Sequence, residues 1–138
     1  MNKTCILCAA DGGEVLMRSD TWRVVIADDE PLHPCLVRVI ANQHVTEMTD
    51  LDAAARLQLM ELVFRAEAAL RRLLKPVKIN LASLGNMTPH LHWHVVPRQR
   101  DDPHFPGAIW SPPQRQTGVV LRPAGFADAL RTALESAP

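Results

Sequence analysis

The chain has 138 residues, a length for one domain around one core, and its 47% hydrophobic and 22% charged residues are ordinary for a soluble globular protein. Fifteen Lys plus Arg balance fifteen Asp plus Glu, so no net field attracts nucleic acid or an anionic membrane surface, and neither is expected as a partner. No apolar run is long enough to span a bilayer and the first residues lead into no secretory segment. Three cysteines are an odd number for a disulfide framework, and the expected location is the cytoplasm.

In chain order, Cys5-Ile6-Leu7-Cys8 precedes a turn at Asp11-Gly12-Gly13, and two β-prone runs follow over 14–18 and 21–27. In the second, Trp22, Val24 and Ile26 alternate with Arg23 and Val25, which predicts a strand with one buried face. Residues 28–31 end it, and 36–41 form the next strand. Thr49 with Asp52 is a capping-box-like start to one long amphipathic helix that Pro76 stops. Ala55, Leu59, Leu62, Ala66, Ala69 and Leu73 fall at helical spacing, and Glu61/Arg65 and Glu67/Arg71 are four-apart pairs of opposite charge. A strand over 77–84, a tight connection over 85–89 and a hairpin partner over 90–97 come next. A Pro-rich, charged stretch over 99–113 reads as an irregular docked segment, and a short helix over 124–136 closes the chain. The fold class is α+β: an antiparallel sheet of about five strands, the histidine strand central, with one long helix packed on it. Residues 1–138 read as one domain whose last part, 99–138, is the docked tail and short helix.

HLHWHVVPR, residues 90 to 98, holds half of the six histidines. On a strand, His90, His92 and His94 share one face while Leu91, Trp93 and Val95 share the other. Neighbouring imidazoles then start roughly 6.5–7 Å apart at the backbone, awkward for three ligands on one metal but suited to sharing a substrate or passing a hydrogen bond. A neutral imidazole is a nucleophile near pH 7. Against a phosphoanhydride it needs a partner that fixes its tautomer, donors for the phosphoryl oxygens and a proton for the leaving group.

HLHWHVVPR resembles the histidine triad (HIT) signature of a family of nucleotide hydrolases and transferases. The likeness covers most of the chain and points to a bacterial, diadenosine polyphosphate hydrolase-like branch: an N-terminal CxxC, a strand ending in Asp then Pro-x-x-Pro, NQH before the long helix, and INLASLGNMTPHLHWHVVPR at the triad. The resemblance implies a HIT-like fold and a homodimer. It makes His92 the nucleophile, His94 the contact to the reacting phosphate and leaving group, and His90 the first triad member. It places Asp28 on the ribose hydroxyls, loop amides at Gly85 and Asn86 on the phosphate, and Asn80 at the family's strand asparagine. Where a Ser or Thr often donates to the leaving group, this chain has Met87, with Thr88 one residue off. Leu36 stands where a histidine is usual.

CxxC alone is a zinc half-site, a redox pair, or two small buried residues. The redox use favours a βαβ setting that is not found here. Zinc takes four nitrogen or sulfur ligands, and His44 and His90 are the candidates to join Cys5 and Cys8. The resemblance implies the same set, with zinc pinning the N-terminus to the triad strand. Cys35 reads as structural, His33 as a loop residue, and Arg98, Arg100 and Arg115 as solvated or phosphate-facing. His104-Phe105-Pro106 and Trp110 either fold over the pocket and stack on a base or simply dock.

The function these features imply is hydrolysis of a nucleotide phosphoanhydride or phosphoramidate through a nucleotidyl-histidine on His92. Three alternatives stand beside it. One is a nucleotidyl transferase with the same intermediate, the second a metallohydrolase with catalytic zinc, and the third a nucleotide-binding module without turnover.

Overall fold

The structure is a computed structural model and describes residues 4–136. Five strands form one antiparallel sheet in the order β1-β2-β3-β5-β4: β1 (Gly13–Arg18), β2 (Trp22–Ala27), β3 (Val37–Ala41), β4 (Lys78–Ala82) and β5 (His92–Arg98). A one-turn helix α1 (Ile6–Ala9), the long helix α2 (Ala53–Leu74) and a C-terminal helix α3 (Phe126–Glu135) complete it. The predicted α+β architecture is therefore the one observed, with β5 interior between β3 and β4.

Alternation along the strands sorts the side chains onto two faces. Val24, Ile26, Val37, Val39 and Val95 pack against Leu59, Val63, Ala66 and Leu70 of α2, and against Phe126, Leu130 and Leu134 of α3. Asp52 caps α2 by accepting from the Ala55 backbone N–H at 2.8 Å, so it is the N-cap itself rather than the distal half of a box begun at Thr49. Lys75, in the left-handed region at φ 48°, ends the helix ahead of Pro76. The four-apart pairs on α2 do not close among the described ion pairs. Arg65 turns instead to α3 and donates to the Leu134 carbonyl at 3.4 Å, because α3 lies against that side of α2 and offers an unpaired carbonyl there.

The second face carries Arg23, Val25, Arg38, Ile40, His92 and His94, and it is covered as well. All six residues of β2 are buried, which corrects the expectation of one buried face. Residues 5–12 lie over Val25 and Ile40 through Cys5 and Leu7, while Ile109 of the tail packs on Ala27, Leu36 and Val96. Arg23 survives burial because its guanidinium donates to the carbonyls of Leu7 (2.7 Å), Asp11 (2.9 Å) and Ala10 (3.2 Å). A charged residue in a strand thus marks the place where the N-terminal segment docks.

Candidate functional site

Strand β5 begins at His92, so His90 stands just ahead of it. His92 Nδ1 lies 2.5 Å from the His90 carbonyl. A carbonyl can only accept, so Nδ1 carries the proton and Nε2 is the bare nitrogen. The relay expected along the histidine row thus passes through the His90 backbone. The His92 and His94 rings stand T-shaped with centroids 4.9 Å apart. Both are buried, at 8% and 4% exposure. Burial is the main reason that the His92 pKa is lowered and that of His94 falls to about 3, with the neighbouring His92 and Arg38 pushing His94 further. Both rings are neutral at pH 7, the state a nucleophile needs.

His92 lines a cavity of about 280 Å³ together with Asp28, Asp29, Arg38, Thr88 and residues of the α1 segment. Two predicted nucleotide-binding residues, Asp28 and Thr88, therefore meet the predicted nucleophile. Gly85, held at φ +77°, lies with His90 and His92 around a neighbouring cavity of about 290 Å³. Asn86 is exposed beside Met87, which is 97% exposed. Asn80 is not on the His92 cavity. It pairs with Val96, two places along the ladder from His94, and its Oδ1 accepts from Arg98 Nη1 at 2.8 Å. It lines instead a cavity of about 600 Å³ with Lys78, Arg98 and Trp110. Trp110 brings its ring 4.8 Å from that of His94, so the tail does reach the histidines.

A second constellation sits at the N-terminal end of the same face. Donor atoms of Cys5, Cys8, His44 and His90 all lie within 4.8 Å of one another, an arrangement that can hold a metal ion. His90 Nδ1 is 3.3 Å from Cys5 Sγ and 3.5 Å from Cys8 Sγ, and His44 Nδ1 is 3.3 Å from Cys8 Sγ. Tetrahedral zinc, with Zn–S near 2.3 Å and Zn–N near 2.0–2.1 Å, sets such N···S edges at roughly 3.5 Å. His90 Nε2 donates to the Ala41 carbonyl at 2.6 Å, so Nδ1 is bare and turned to the sulfurs. His92 and His94 are not in the cluster, and its four donors are the number a tetrahedral ion takes.

The remaining candidates are structural. Arg98 bonds both oxygens of Asp102, at 2.8 and 3.0 Å, with both side chains 2% exposed, and Arg115 donates to tail carbonyls at Asp102 and Phe105. Arg100 is exposed. Burial alone would raise the Asp102 pKa most strongly, but Arg98 and the backbone N–H groups of His104, Gln99 and Phe105 together bring it down to about 2. His33 is more than a loop residue: it is 7% exposed and its Nε2 meets His104 Nδ1 at 2.8 Å. Cys35 is buried, its thiol pushed up to about 11 by burial. Sequence reasoning missed Arg38 and Asp29. The signal was a lone arginine inside LVRVIA, on the strand face opposite Val37 and Val39.

An antiparallel sheet carrying paired imidazoles beside an acidic loop defines a histidine triad protein. The chain belongs to the HIT domain family, whose sequence model matches residues 13–101. Solved structures share the fold at low identity. The histidine triad protein of Marinobacter aquaeolei VT8 is 23% identical, with a TM-score of 0.76 over 100% of this chain and 99% of that one. That of Bradyrhizobium japonicum is 23% identical, with a TM-score of 0.71 over 92% and 91%. A Zn-bound histidine triad family protein of Mycobacterium smegmatis is 20% identical, with a TM-score of 0.68 over 96% and 94%. No curated protein matches. No described helix is long and apolar enough to cross a membrane.

Proposed function

We propose that this chain hydrolyses nucleotides at a phosphoanhydride or phosphoramidate bond, with dinucleoside polyphosphates and nucleoside phosphoramidates as the substrate classes. His92 Nε2 attacks the α-phosphorus in line, an N–P bond forms, and the P–O or P–N bond to the leaving group breaks. The leaving group takes a proton from the Thr88 hydroxyl, and His94 donates a hydrogen bond to the reacting phosphate. Water then attacks the same phosphorus and returns a proton to Thr88, the N–P bond breaks, and a nucleoside monophosphate leaves with His92 neutral again. Asp28 holds the ribose hydroxyls, and the loop at Gly85 and Asn86 contributes amides to the phosphate. Asn80 acts at one remove, by holding Arg98. The observation that carries this reading is the 2.5 Å bond from His92 Nδ1 to the His90 carbonyl, which leaves a bare Nε2 on a ring that lines the cavity. An acceptor phosphate in place of water would make the chain a transferase.

Zinc fits the Cys5, Cys8, His44 and His90 set, and the Zn-bound state of the Mycobacterium smegmatis relative supports it. With all four positions filled by protein, the ion ties the N-terminal segment to the triad rather than activating water. That separation, with His92 outside the donor set, favours the covalent route over a zinc hydrolase. A homodimer is supported by β4, an edge strand of the sheet, whereas Arg131 of α3 donates to the Val15 carbonyl of the other edge strand, β1.

Rapid quenching of the wild type and of His94→Ala with adenosine phosphoramidate or diadenosine tetraphosphate labelled at the α-phosphorus tests the scheme. An adenylyl adduct on His92, absent from His92→Ala, is expected. Product release with no adduct in either protein would replace the covalent route, and no product at all would leave a binding module.

A further inference from the structure

Arg38 sits in the middle of β3, directly opposite His94 in the ladder between β3 and β5. It is 7% exposed, and a buried guanidinium is costly unless its N–H groups are used. Here Nη1 donates to Asp29 at 2.6 Å and Nη2 faces Glu30 at 3.7 Å. Nε–H points inward, to His94 Nδ1 at 3.3 Å.

A guanidinium has donors and no acceptor. Nδ1 of His94 must therefore accept, and a neutral ring then carries its proton on Nε2. His92 is fixed the opposite way, by a carbonyl that can only accept. Two neighbouring imidazoles are so held in mirror tautomers: one offers a lone pair at Nε2, the other an N–H. Asp29 and Glu30 clamp the guanidinium from the loop side, which aims Nε–H along the sheet. The ring of Trp110 and that of His92 are the aromatic neighbours of His94, and neither imposes this tautomer.

We propose that Arg38 is a positioning residue that locks His94 with its proton on Nε2, so that a hydrogen-bond donor stands beside the nucleophile throughout the reaction. The alternative tautomer would turn a lone pair toward phosphoryl oxygens and replace an attraction by a repulsion. This role rests on the phosphoryl-transfer reading of the site, but the tautomer itself is a property of the free protein.

The experiment uses the full chain with 15N-labelled histidine, whose protonated and bare ring nitrogens are resolved by NMR, alongside steady-state kinetics with adenosine phosphoramidate. Wild type is expected to show His94 protonated on Nε2 alone. Arg38→Gln, which retains an N–H donor without the charge, keeps that tautomer and stays within about tenfold of the wild-type kcat. Arg38→Met, which fills the space without a donor, divides the proton between the two nitrogens and loses roughly a hundredfold in kcat with KM little changed.

A single Nε2 tautomer in Arg38→Met overturns the proposal, as does an Arg38→Gln enzyme as slow as Arg38→Met, because charge rather than donation would then be the cause. If Arg38→Met fails to fold, Arg38→Gln carries the test, and loss of either its tautomer or its turnover is decisive. A wild type that turns over no nucleotide removes the phosphoryl-transfer reading and leaves the spectrum to decide the tautomer.

Discussion

Thr88 and Met87 differ by one residue of register and sit in opposite settings. Counting back from His90 puts the usual hydroxyl donor at Met87, whose thioether cannot give up a proton. Met87 is 97% exposed, whereas Thr88 is half-buried and on the His92 cavity. Replacing Thr88 by Val is expected to lower kcat by roughly tenfold to a hundredfold for substrates with a basic leaving group, and by less where the leaving group departs unprotonated. Met87→Ala is expected to change neither, which a comparison of the two substrate types would check. The histidine row was legible in the sequence because a dense motif carried it, and the CxxC with two histidines pointed to the cluster of Cys5, Cys8, His44 and His90. Arg38 was not, because its partner lies 56 residues away and strand alternation gives a face without naming what stands across it.

Among the elements, α1 and the start of β5 act as a unit. Cys5 stands at the N-cap of a single helical turn and Cys8 within it, and His90 closes the cluster with its ring while its carbonyl holds His92. Chelation, or Cys8→Ser, is therefore expected to release bound zinc, to lower the melting temperature because metal binding is coupled to folding, and to reduce turnover by loosening His92. Elemental analysis with thermal melts checks this, and His92→Ala, by contrast, is expected to retain its metal. The strands and α2 were readable from periodicity, with boundaries a few residues wide of the observed ones. The covering of β2 on both faces was not, because the segments that cover it have no period of their own: residues 7–11 dock through backbone carbonyls onto Arg23, and the tail through Ile109 on Ala27.

Across the whole molecule, buried titratable groups make stability depend on pH in two windows. Burial, the largest effect, lowers His33 to about 4, with His104 and Arg98 acting the same way and Asp102 opposing. The unfolded chain, with histidine near 6.5, binds this proton first, so stability is full above about pH 6.5 and declines by about 3 kcal/mol as pH falls toward 4. Asp102 is depressed to about 2, so its contribution, of order 2 kcal/mol, is full above about pH 4 and is lost as pH falls toward 2. Melting curves from pH 7 to 2 should show both declines: His33→Gln removes its own share of the upper, to which His94, brought down to about 3 mainly by burial, adds a further share, and Asp102→Asn flattens the lower. The tail that houses Asp102 was legible only as docked, since its anchors are a buried ion pair and a histidine pair that join distant parts of the chain.

The family match ends at residue 101 and begins at 13, yet Ile6, Leu7, Ala10 and Gly12 wall the His92 cavity and Trp110 shields His94. On the function proposed above, the chemistry belongs to the sheet, while the two extremities line the space in which one substrate would be told from another. Grafting those extremities from one relative onto another, with Cys5 and Cys8 kept, is then expected to shift substrate preference more than turnover.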